Sequence, residues 1–329
     1  MRMPRVIFSV RSQAVLYGLL GLCSTSFALT TEEVLFTNGD IELAATLMMP
    51  ETAVPIPGVV IIHGSGDSDR ENPWTSAYAQ ALADRGIAVL YPDKRGCGRS
   101  GGDWKIASFN VLASDVSSGL DVLLSRANID PARVGVIGFS QGGHIASLVS
   151  SDPDCRFAIS VSGSVRSLRE QMLDEVIMDA RKEGQDPSAA SLGTLRWIYA
   201  AIFEFTRGKG DWQVIQDSVI AGRSRDPFLL RTLATIPPDA DHWAVGWVRS
   251  VGDFDPWPHW LTSSKPVIFI YGGNDENVDV PASVRQILAG DADEPLRSTV
   301  MVFAANGHSL FREDALDLVH RWIFDKGED

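Results

Sequence analysis

The chain has 329 residues, 45% of them hydrophobic, and carries 42 acidic against 29 basic side chains, a formal net charge of −13. A surplus of acid without clusters of Lys and Arg excludes the phosphate-binding surface that a nucleic-acid partner requires. The length allows one large domain with or without an inserted segment, and this much apolar sequence is enough to fill its core.

Residues 1–28 have the composition of a secretory signal peptide. Three arginines and no acidic residue accompany the apolar stretch AVLYGLLGLC, and Ser26 and Ala28 are spaced like a small-residue cleavage site. The stretch is shorter than the roughly 20 apolar residues of a membrane-spanning anchor, and a bulky leucine before Cys23 fits lipid modification poorly. We therefore expect cleavage after Ala28, a secreted or periplasmic location and no stable membrane insertion, with an anchor or a lipoprotein as alternatives.

The first elements after this segment form a β-hairpin. The stretch at 34–49, VLFTNGDIELAATLMM, has two strand-like runs joined by Asn38-Gly39-Asp40, which is typical of a tight turn.

An alternation of short apolar runs and helix-length segments follows the hairpin. The runs lie at 58–64, 86–93, 133–140, 157–163, 266–275 and 298–308. Between most of them lie segments of helical length, among them 74–85, 110–126, 141–151 and 281–289. Buried runs rich in Val and Ile that alternate with helices predict an α/β fold, with a mostly parallel central sheet and helices on both of its faces.

Residues 165–262 interrupt the alternation, because they contain helical patches and no strand-like run. We predict that they form a helical insert, or lid, between two parts of the core, 29–164 and 263–329. Of the nine tryptophans, six belong to this segment: Trp197, Trp212, Trp243, Trp247, Trp257 and Trp260. Any one of them is readily explained as an ordinary core residue, but together they predict a lid with an apolar inner face.

The stretch RVGVIGFSQGGHIASL at 133–148 places a serine where a buried strand runs into a helix. In that context G-x-S-x-G is typical of a nucleophile elbow, a strained turn that exposes Ser140 and leaves little room for side chains at Gly138 and Gly142. The N-terminus of the following helix directs backbone N–H groups to the same place. A simple helix cap is the alternative, but the strand before and the helix after favour Ser140 as a nucleophile.

A serine hydroxyl needs a general base within hydrogen-bond reach and a third group that orients this base. His308 follows the last predicted strand, and reactive loops of parallel sheets lie at the carboxyl ends of the strands, so it is the predicted base. Asp275 ends the preceding strand and is the predicted acid, with Glu276 and Asp279 as rivals. His144 lies on a helix that points away from the hydroxyl, so we expect it to serve in packing.

Acyl transfer also requires preorganised donors for the negative charge that develops on oxygen. The backbone N–H of Gln141, directly after the nucleophile, is one predicted donor. The second is expected from HGSG at 63–66, where Ser65 is preferred and Gly66 is the alternative. We expect His63, in the same motif, to shape the turn.

With these motifs the chain resembles the α/β-hydrolase superfamily, in particular bacterial carboxylesterases and serine aminopeptidase-like hydrolases with a helical lid. The matching pieces, spread over residues 34–325, are HGSGDSDRENPW, GIAVLYPDKRGCGRSGG, GFSQGG, YGGNDENVDV and NGHSLF. The resemblance implies the α/β-hydrolase fold with its chain order of Ser140 nucleophile, Asp275 acid and His308 base, and the amides of Ser65 and Gln141 as oxyanion donors. It also suggests that Asp93, Arg95 and Asp115 are structural anchors.

These expectations describe a serine hydrolase, most simply a carboxylesterase, that cleaves esters of small or medium acyl groups through an acyl-enzyme. A peptidase or amidase on the same triad is the first alternative, and it would need acidic residues near the serine to hold a substrate amine. The acids of the insert are expected instead to form a solvated face: Glu170, Asp174, Glu175 and Asp179. A noncatalytic binding protein with the same fold is the second alternative.

The expected partner is a small-molecule ester or amide. No Cys and His spacing is typical of a zinc site, and the glycine-rich loops lack the lysine of a phosphate cradle, so we expect no cofactor and no metal. The sequence leaves the oligomeric state open.

Overall fold

The computed structural model describes residues 28–293 and 298–325. Apart from Ala28, the predicted signal peptide at 1–28 lies outside the described residues. Within the two described ranges, no helix combines the length and the apolar composition needed to cross a membrane.

The described residues form one sheet of eight strands. The strands are β1 (Leu29–Asn38), β2 (Ile41–Pro50), β3 (Ile56–Ile62), β4 (Ala88–Pro92), β5 (Ile129–Phe139), β6 (Phe157–Val161), β7 (Val267–Gly272) and β8 (Ser298–Phe303). Their spatial order is β1-β2-β4-β3-β5-β6-β7-β8. Strand β2 runs antiparallel to β1 and β4, and every other neighbouring pair is parallel. The predicted mostly parallel sheet with an N-terminal hairpin is therefore confirmed.

Helices cover both faces of this sheet. They are α1 (Pro73–Ala83), α2 (Phe109–Leu124), α3 (Gly142–Val149), α4 (Leu168–Lys182), α5 (Ala189–Thr206), α6 (Trp212–Arg223), α7 (Pro227–Thr232), α8 (Trp243–Val251), α9 (Trp257–Thr262), α10 (Val280–Asp293) and α11 (Glu313–Asp325). Apolar side chains of α1 and α11 pack on one face, and those of α2, α3 and α10 pack on the other. Because strands such as β3 are buried along their whole length, they need the continuous apolar runs seen in the sequence.

Local sequence signals set several helix starts. The side chain of Asn72 caps α1 and is followed by Pro73, whose missing N–H costs nothing in the first turn. Ser167 and Glu170 form a reciprocal capping box at the start of α4. These ends fix where the chain enters α1 and α4, which both lie close to the candidate site described below.

Between β6 and β7 the chain forms α4 to α9, with a short 3₁₀ turn at Leu233–Thr235. Helices α4 to α7 share a hydrophobic cluster of their own, which includes Leu195 and Phe228. Helices α8 and α9 instead contribute Val248 and Trp260 to the core beside the sheet. The lid boundaries at 165 and 262 stay a prediction.

The tryptophans of the insert do not share one face. Trp260 is 1% exposed and packs edge-on against Phe269 of β7, with ring centroids 5.3 Å apart. Trp212 joins the separate cluster of the insert, whereas Trp197 and Trp243 are about half exposed. The expectation that these residues together form one apolar inner face is therefore wrong, because they sit on helices that face different neighbours.

Trp260→Ala should lower the free energy of unfolding by about 3–5 kcal/mol, because it removes a fully buried indole from the main core. The matched control is Trp197→Ala on α5, an exposed position where the change should stay within about 0.5 kcal/mol. Urea unfolding followed by circular dichroism measures both values. Equal losses in the two variants would contradict the placement of α9 in the main core.

Candidate active site

Ser140 lies at the junction of β5 and α3 with a backbone φ of 52°, in the left-handed region that non-glycine residues rarely adopt. The flanking glycines are required by close backbone contacts. A Cβ atom on Gly138 would lie 2.3 Å from the carbonyl oxygen of Gly142, and one on Gly142 would lie 2.4 Å from the carbonyl oxygen of Ile62. Both distances are far inside van der Waals contact, so the G-x-S-x-G pattern has a steric cause.

The structure brings Ser140, His308 and Asp275 together at the carboxyl edge of the sheet. His308 Nε2 lies 3.0 Å from Ser140 Oγ. Its Nδ1 lies 2.9 Å from each carboxylate oxygen of Asp275. A carboxylate only accepts at neutral pH, so Nδ1–H donates to Asp275 and the bare Nε2 accepts from the hydroxyl. This is the arrangement in which an imidazole can take a proton from serine.

Backbone N–H groups hold Asp275 in place together with the imidazole. Its side chain is fully buried, and Oδ1 accepts hydrogen bonds from the backbone N–H groups of Asn277 at 2.8 Å and Val278 at 2.9 Å. The two rival acids have other contacts. The Glu276 carboxylate lies 3.9 Å from an ammonium group, and Asp279 accepts from the N–H of residue 282 at the start of α10. Among the three candidates, the geometry therefore selects Asp275.

Two residues that support His308 were not found by sequence reasoning. Ser162, which follows β6 with a φ of 52°, donates from Oγ to the carbonyl oxygen of His308 at 2.7 Å. Trp74 lies with its ring centroid 5.5 Å from the imidazole, and its Nε1 donates to the carbonyl of Leu310 at 2.9 Å. The residues in these contacts are 146 and 236 positions apart in the chain, so no local sequence pattern predicts the contacts.

The two predicted oxyanion donors belong to segments that adjoin Ser140. Gln141 is the first residue after Ser140 and precedes the first turn of α3. Ser65 belongs to the loop after β3, and a Cβ on the adjacent Gly64 would lie 3.4 Å from the Ser140 Cβ. Within the part of the chain that the structure describes, the backbone N–H groups of Gln141 and Ser65 have no hydrogen-bond partner. Both are thus available to a ligand oxygen.

The histidines at 63 and 144 have structural surroundings. His63 donates from Nε2 to the Pro92 carbonyl at 2.6 Å and accepts at Nδ1 from the Ser68 hydroxyl at 2.9 Å. Burial lowers its pKa to about 4, so it stays neutral and holds the turn together. His144 packs beside Phe254, and burial likewise lowers its pKa to about 4. Neither imidazole is in contact with Ser140.

The residues suggested as anchors form ion pairs. Asp93 accepts from Arg70 Nε and Nη2, each at 2.9 Å. Burial acts to raise the pKa of Asp93, but hydrogen bonds from Arg70 and Arg99 outweigh it and hold the pKa below the ordinary value. Arg95 donates from Nε to Asp115 at 2.8 Å.

Helix α4 lies along the loop that carries Asp275. Gln171 donates to a backbone carbonyl of that loop, and Lys182 lies 3.9 Å from a carboxylate of the same loop. Glu175 is on the same helical face between these two residues. Desolvation by the surrounding protein raises the pKa of the Glu175 carboxyl, whereas the nearby imidazole of His308 acts to lower it. Glu175 is nonetheless an exposed residue, as the expected solvated face requires.

Glu175 also differs from its neighbours in its charge partners. The other acids of α4 pair with guanidinium groups: Glu170 and Asp174 with Arg166, and Asp179 with Arg231. Within residues 28–293 and 298–325, no cationic side chain pairs with Glu175. No described cationic side chain therefore compensates its charge, and solvent reaches the residue.

Comparison with known proteins places the chain in a family. Residues 59–322 match the model of the alpha/beta hydrolase family. The quorum-quenching protein AidA of Acinetobacter baumannii is 30% identical over 122 residues, 36% of this chain and 40% of that protein. Esterase EstD of Thermotoga maritima is 25% identical over 150 residues, 44% of this chain and 35% of that protein. The chain thus spans less than half the length of either relative.

Solved structures share the architecture at low sequence identity. The esterase Pf2001 of Pyrococcus furiosus has a TM-score of 0.57 and 16% identity over 91% of this chain and 90% of that one. Est1E from Butyrivibrio proteoclasticus has a TM-score of 0.56 and 16% identity over 90% of this chain and 99% of that one. Such likenesses show a common fold. Together with the match over most of the chain, they confirm the expected fold, and the protein belongs to the alpha/beta hydrolase family.

Proposed function

We propose that this protein is a serine hydrolase that cleaves carboxylic esters through an acyl-enzyme on Ser140. The observation that carries the proposal is the 3.0 Å contact between His308 Nε2 and Ser140 Oγ, with Asp275 2.9 Å behind the imidazole. At these distances a proton can pass from serine to histidine without rearrangement of the site. The esterases among the relatives in sequence and fold support an ester as the substrate.

Acylation begins when Ser140 Oγ attacks the ester carbonyl carbon and His308 Nε2 takes the hydroxyl proton. Negative charge develops on the carbonyl oxygen, and the N–H groups of Gln141 and Ser65 are the donors we assign to it. The imidazolium then gives its proton to the departing alcohol as the carbon–oxygen bond breaks. Asp275 stays ionised throughout and stabilises the imidazolium.

Deacylation repeats these steps with water. His308 takes a proton from water as the water oxygen attacks the acyl carbon, and it returns that proton to Ser140 Oγ when the acid leaves. Apart from the ester and the water, every step uses groups that this chain supplies. The composition of residues 1–28 supports action outside the cytoplasm.

A second candidate, hydrolysis of amides that carry a free amine, is favoured by one observation. Glu175 is an exposed residue of α4 whose pKa is influenced by the charge of His308, and none of the described salt bridges includes it. A substrate ammonium group would supply the missing charge and would be held next to Ser140.

Ser140→Ala should lower turnover of p-nitrophenyl esters, acetate through decanoate, by about 10⁴-fold or more, because the attacking oxygen is removed. The matched control is Ser151→Ala, an exposed position just after α3, which should keep wild-type turnover. Labelling by a fluorophosphonate should disappear in the first variant and persist in the second. Ester turnover that survives in Ser140→Ala would contradict the proposal.

Asp275→Asn should lower kcat by about 10⁴-fold, because the imidazole loses the group that fixes its tautomer and stabilises its charged form. Asp279→Asn changes the rival carboxylate by the same chemistry, and we expect at most a loss of about 1 kcal/mol in stability from the weakened helix cap. Steady-state kinetics on p-nitrophenyl butyrate compares the two. A larger loss in Asp279→Asn would show that the acid is misassigned.

Glu175→Gln separates the two substrate classes. If a substrate amine binds there, kcat/KM for alanine p-nitroanilide should fall by about 10- to 100-fold, because a charged hydrogen bond is lost. The N-acetylated anilide is the matched substrate and should be unaffected. Under the ester proposal, wild-type protein hydrolyses p-nitrophenyl butyrate far faster than either anilide, and Glu175→Gln leaves that rate within about threefold. Faster anilide than ester turnover would favour the second candidate.

A further inference from the structure

Lys94 is a buried cation to which the mechanism above gives no part. It follows β4 and is 7% exposed, and its ammonium group donates to the carbonyl oxygens of Gly64 at 2.9 Å and Gly66 at 3.0 Å. The third contact is Gln141 Oε1 at 3.5 Å, and the ring centroid of Trp104 lies 4.4 Å away. An ammonium group has three donors, and each of them has an acceptor here.

Two of these acceptors belong to the loop that carries the second oxyanion donor. In a trans peptide the C=O bond and the following N–H bond point in opposite directions, and the described residues contain no cis peptide bond. Because the Gly64 carbonyl points to Lys94, the N–H of Ser65 points away from it. Gly64 itself contacts the elbow, since a Cβ there would lie 3.3 Å from the Phe139 carbonyl oxygen. Lys94 thus sets the orientation of a peptide group that borders the nucleophile.

The same contacts bear on the choice between Ser65 and Gly66 as donor. The N–H of Gly66 belongs to the peptide group that contains the Ser65 carbonyl. Among the described residues, nothing donates to that carbonyl, whereas Lys94 holds the peptide groups before and after it. A preorganised donor needs a fixed peptide plane, so the geometry favours Ser65.

We propose that Lys94 is a positioning residue for the oxyanion hole, which it organises through the carbonyls of Gly64 and Gly66 and the side chain of Gln141. The proposal rests on the proposed function, because the oxyanion in question is the one that forms in the proposed acyl transfer. One ammonium group ties together the two segments whose backbone N–H groups meet the developing charge. Since that charge is absent in the bound ester, Lys94 acts on kcat more than on KM.

The first test replaces the ammonium group by an apolar side chain of similar length. Lys94→Met should lower kcat for p-nitrophenyl butyrate by about 10- to 100-fold and change KM by less than about threefold, because the donors are displaced while ester binding is kept. Lys105→Met is the matched control. Lys105 also lies over the Trp104 ring, at 5.6 Å, but makes no contact with the loop carbonyls, so kcat should stay within about twofold.

The second test needs no change at Lys94. Burial lowers the pKa of Lys94 to about 8, although the charges of Cys97 and Asp67 act in the opposite direction. Above this pH the amine loses one donor and its charge, so kcat of the wild-type protein should fall as pH rises through 8 and recover when pH is lowered. Among the described residues, His63 also interacts electrostatically with Lys94, and burial already keeps this imidazole neutral.

Three variants show which titrating group causes the loss of activity at high pH. Lys94→Met should give a low kcat that is flat between pH 7 and 9.5, whereas Cys97→Ser and Lys105→Met should keep the wild-type decline. The inference is overturned if Lys94→Met keeps the wild-type kcat or changes only KM. It is also overturned if kcat of that variant still declines at high pH. If Lys94→Met does not fold by circular dichroism, the wild-type profile decides, and a kcat that is flat above pH 8 overturns it.

The two proposals fail in different ways. Full activity in Lys94→Met together with an inactive Ser140→Ala removes only the role of Lys94. Wild-type protein that neither turns over esters nor reacts with a fluorophosphonate overturns the proposed function and the role of Lys94 with it.

Discussion

The backbone at Ser140 is held in a left-handed conformation because the chain turns there from β5 into α3 with no space for side chains two residues before and two residues after the serine. Cβ atoms at Gly138 and Gly142 would overlap backbone oxygens, so the turn is as tight as the chain permits. That tightness lifts the hydroxyl above the sheet edge, where the loops after β7 and β8 deliver Asp275 and His308. The candidate site depends on this turn, since its other parts are placed relative to the hydroxyl.

The charged groups around the hydroxyl are arranged as the proposed acyl transfer would require. The buried ammonium group of Lys94 lies behind the loop that carries the Ser65 N–H. The carboxylate of Asp275 lies 2.9 Å from the imidazole of His308. The proposed reaction creates an anion on the substrate oxygen and a cation on His308. In a site of low dielectric, both charges then form next to groups of opposite sign.

The sequence was sufficient for the parts of the fold that local physics decides. Strands buried on both faces must be apolar throughout, and a tight turn from strand to helix demands glycines around its serine, so the sheet and the place of Ser140 could be predicted. Three features could not be predicted from the sequence: the support of His308 by Trp74 and Ser162, the position of Lys94 and the surroundings of Glu175. Each depends on how a loop or helix packs against a segment distant in the chain, and such packing leaves no periodic pattern. The insert tryptophans show the same limit, because composition cannot tell which neighbour a helix faces.

The central claim is that an acyl-enzyme forms on Ser140, and the most direct test is to find the acyl group on the protein during turnover. Rapid acid quenching of a reaction with p-nitrophenyl butyrate, followed by peptide mass spectrometry, should find a butyryl group on the peptide that contains Ser140. The adduct should form within the burst of nitrophenol release and should be absent when His308 is replaced by Asn. Ester turnover without any acylated peptide, or acylation at another residue, would contradict the account.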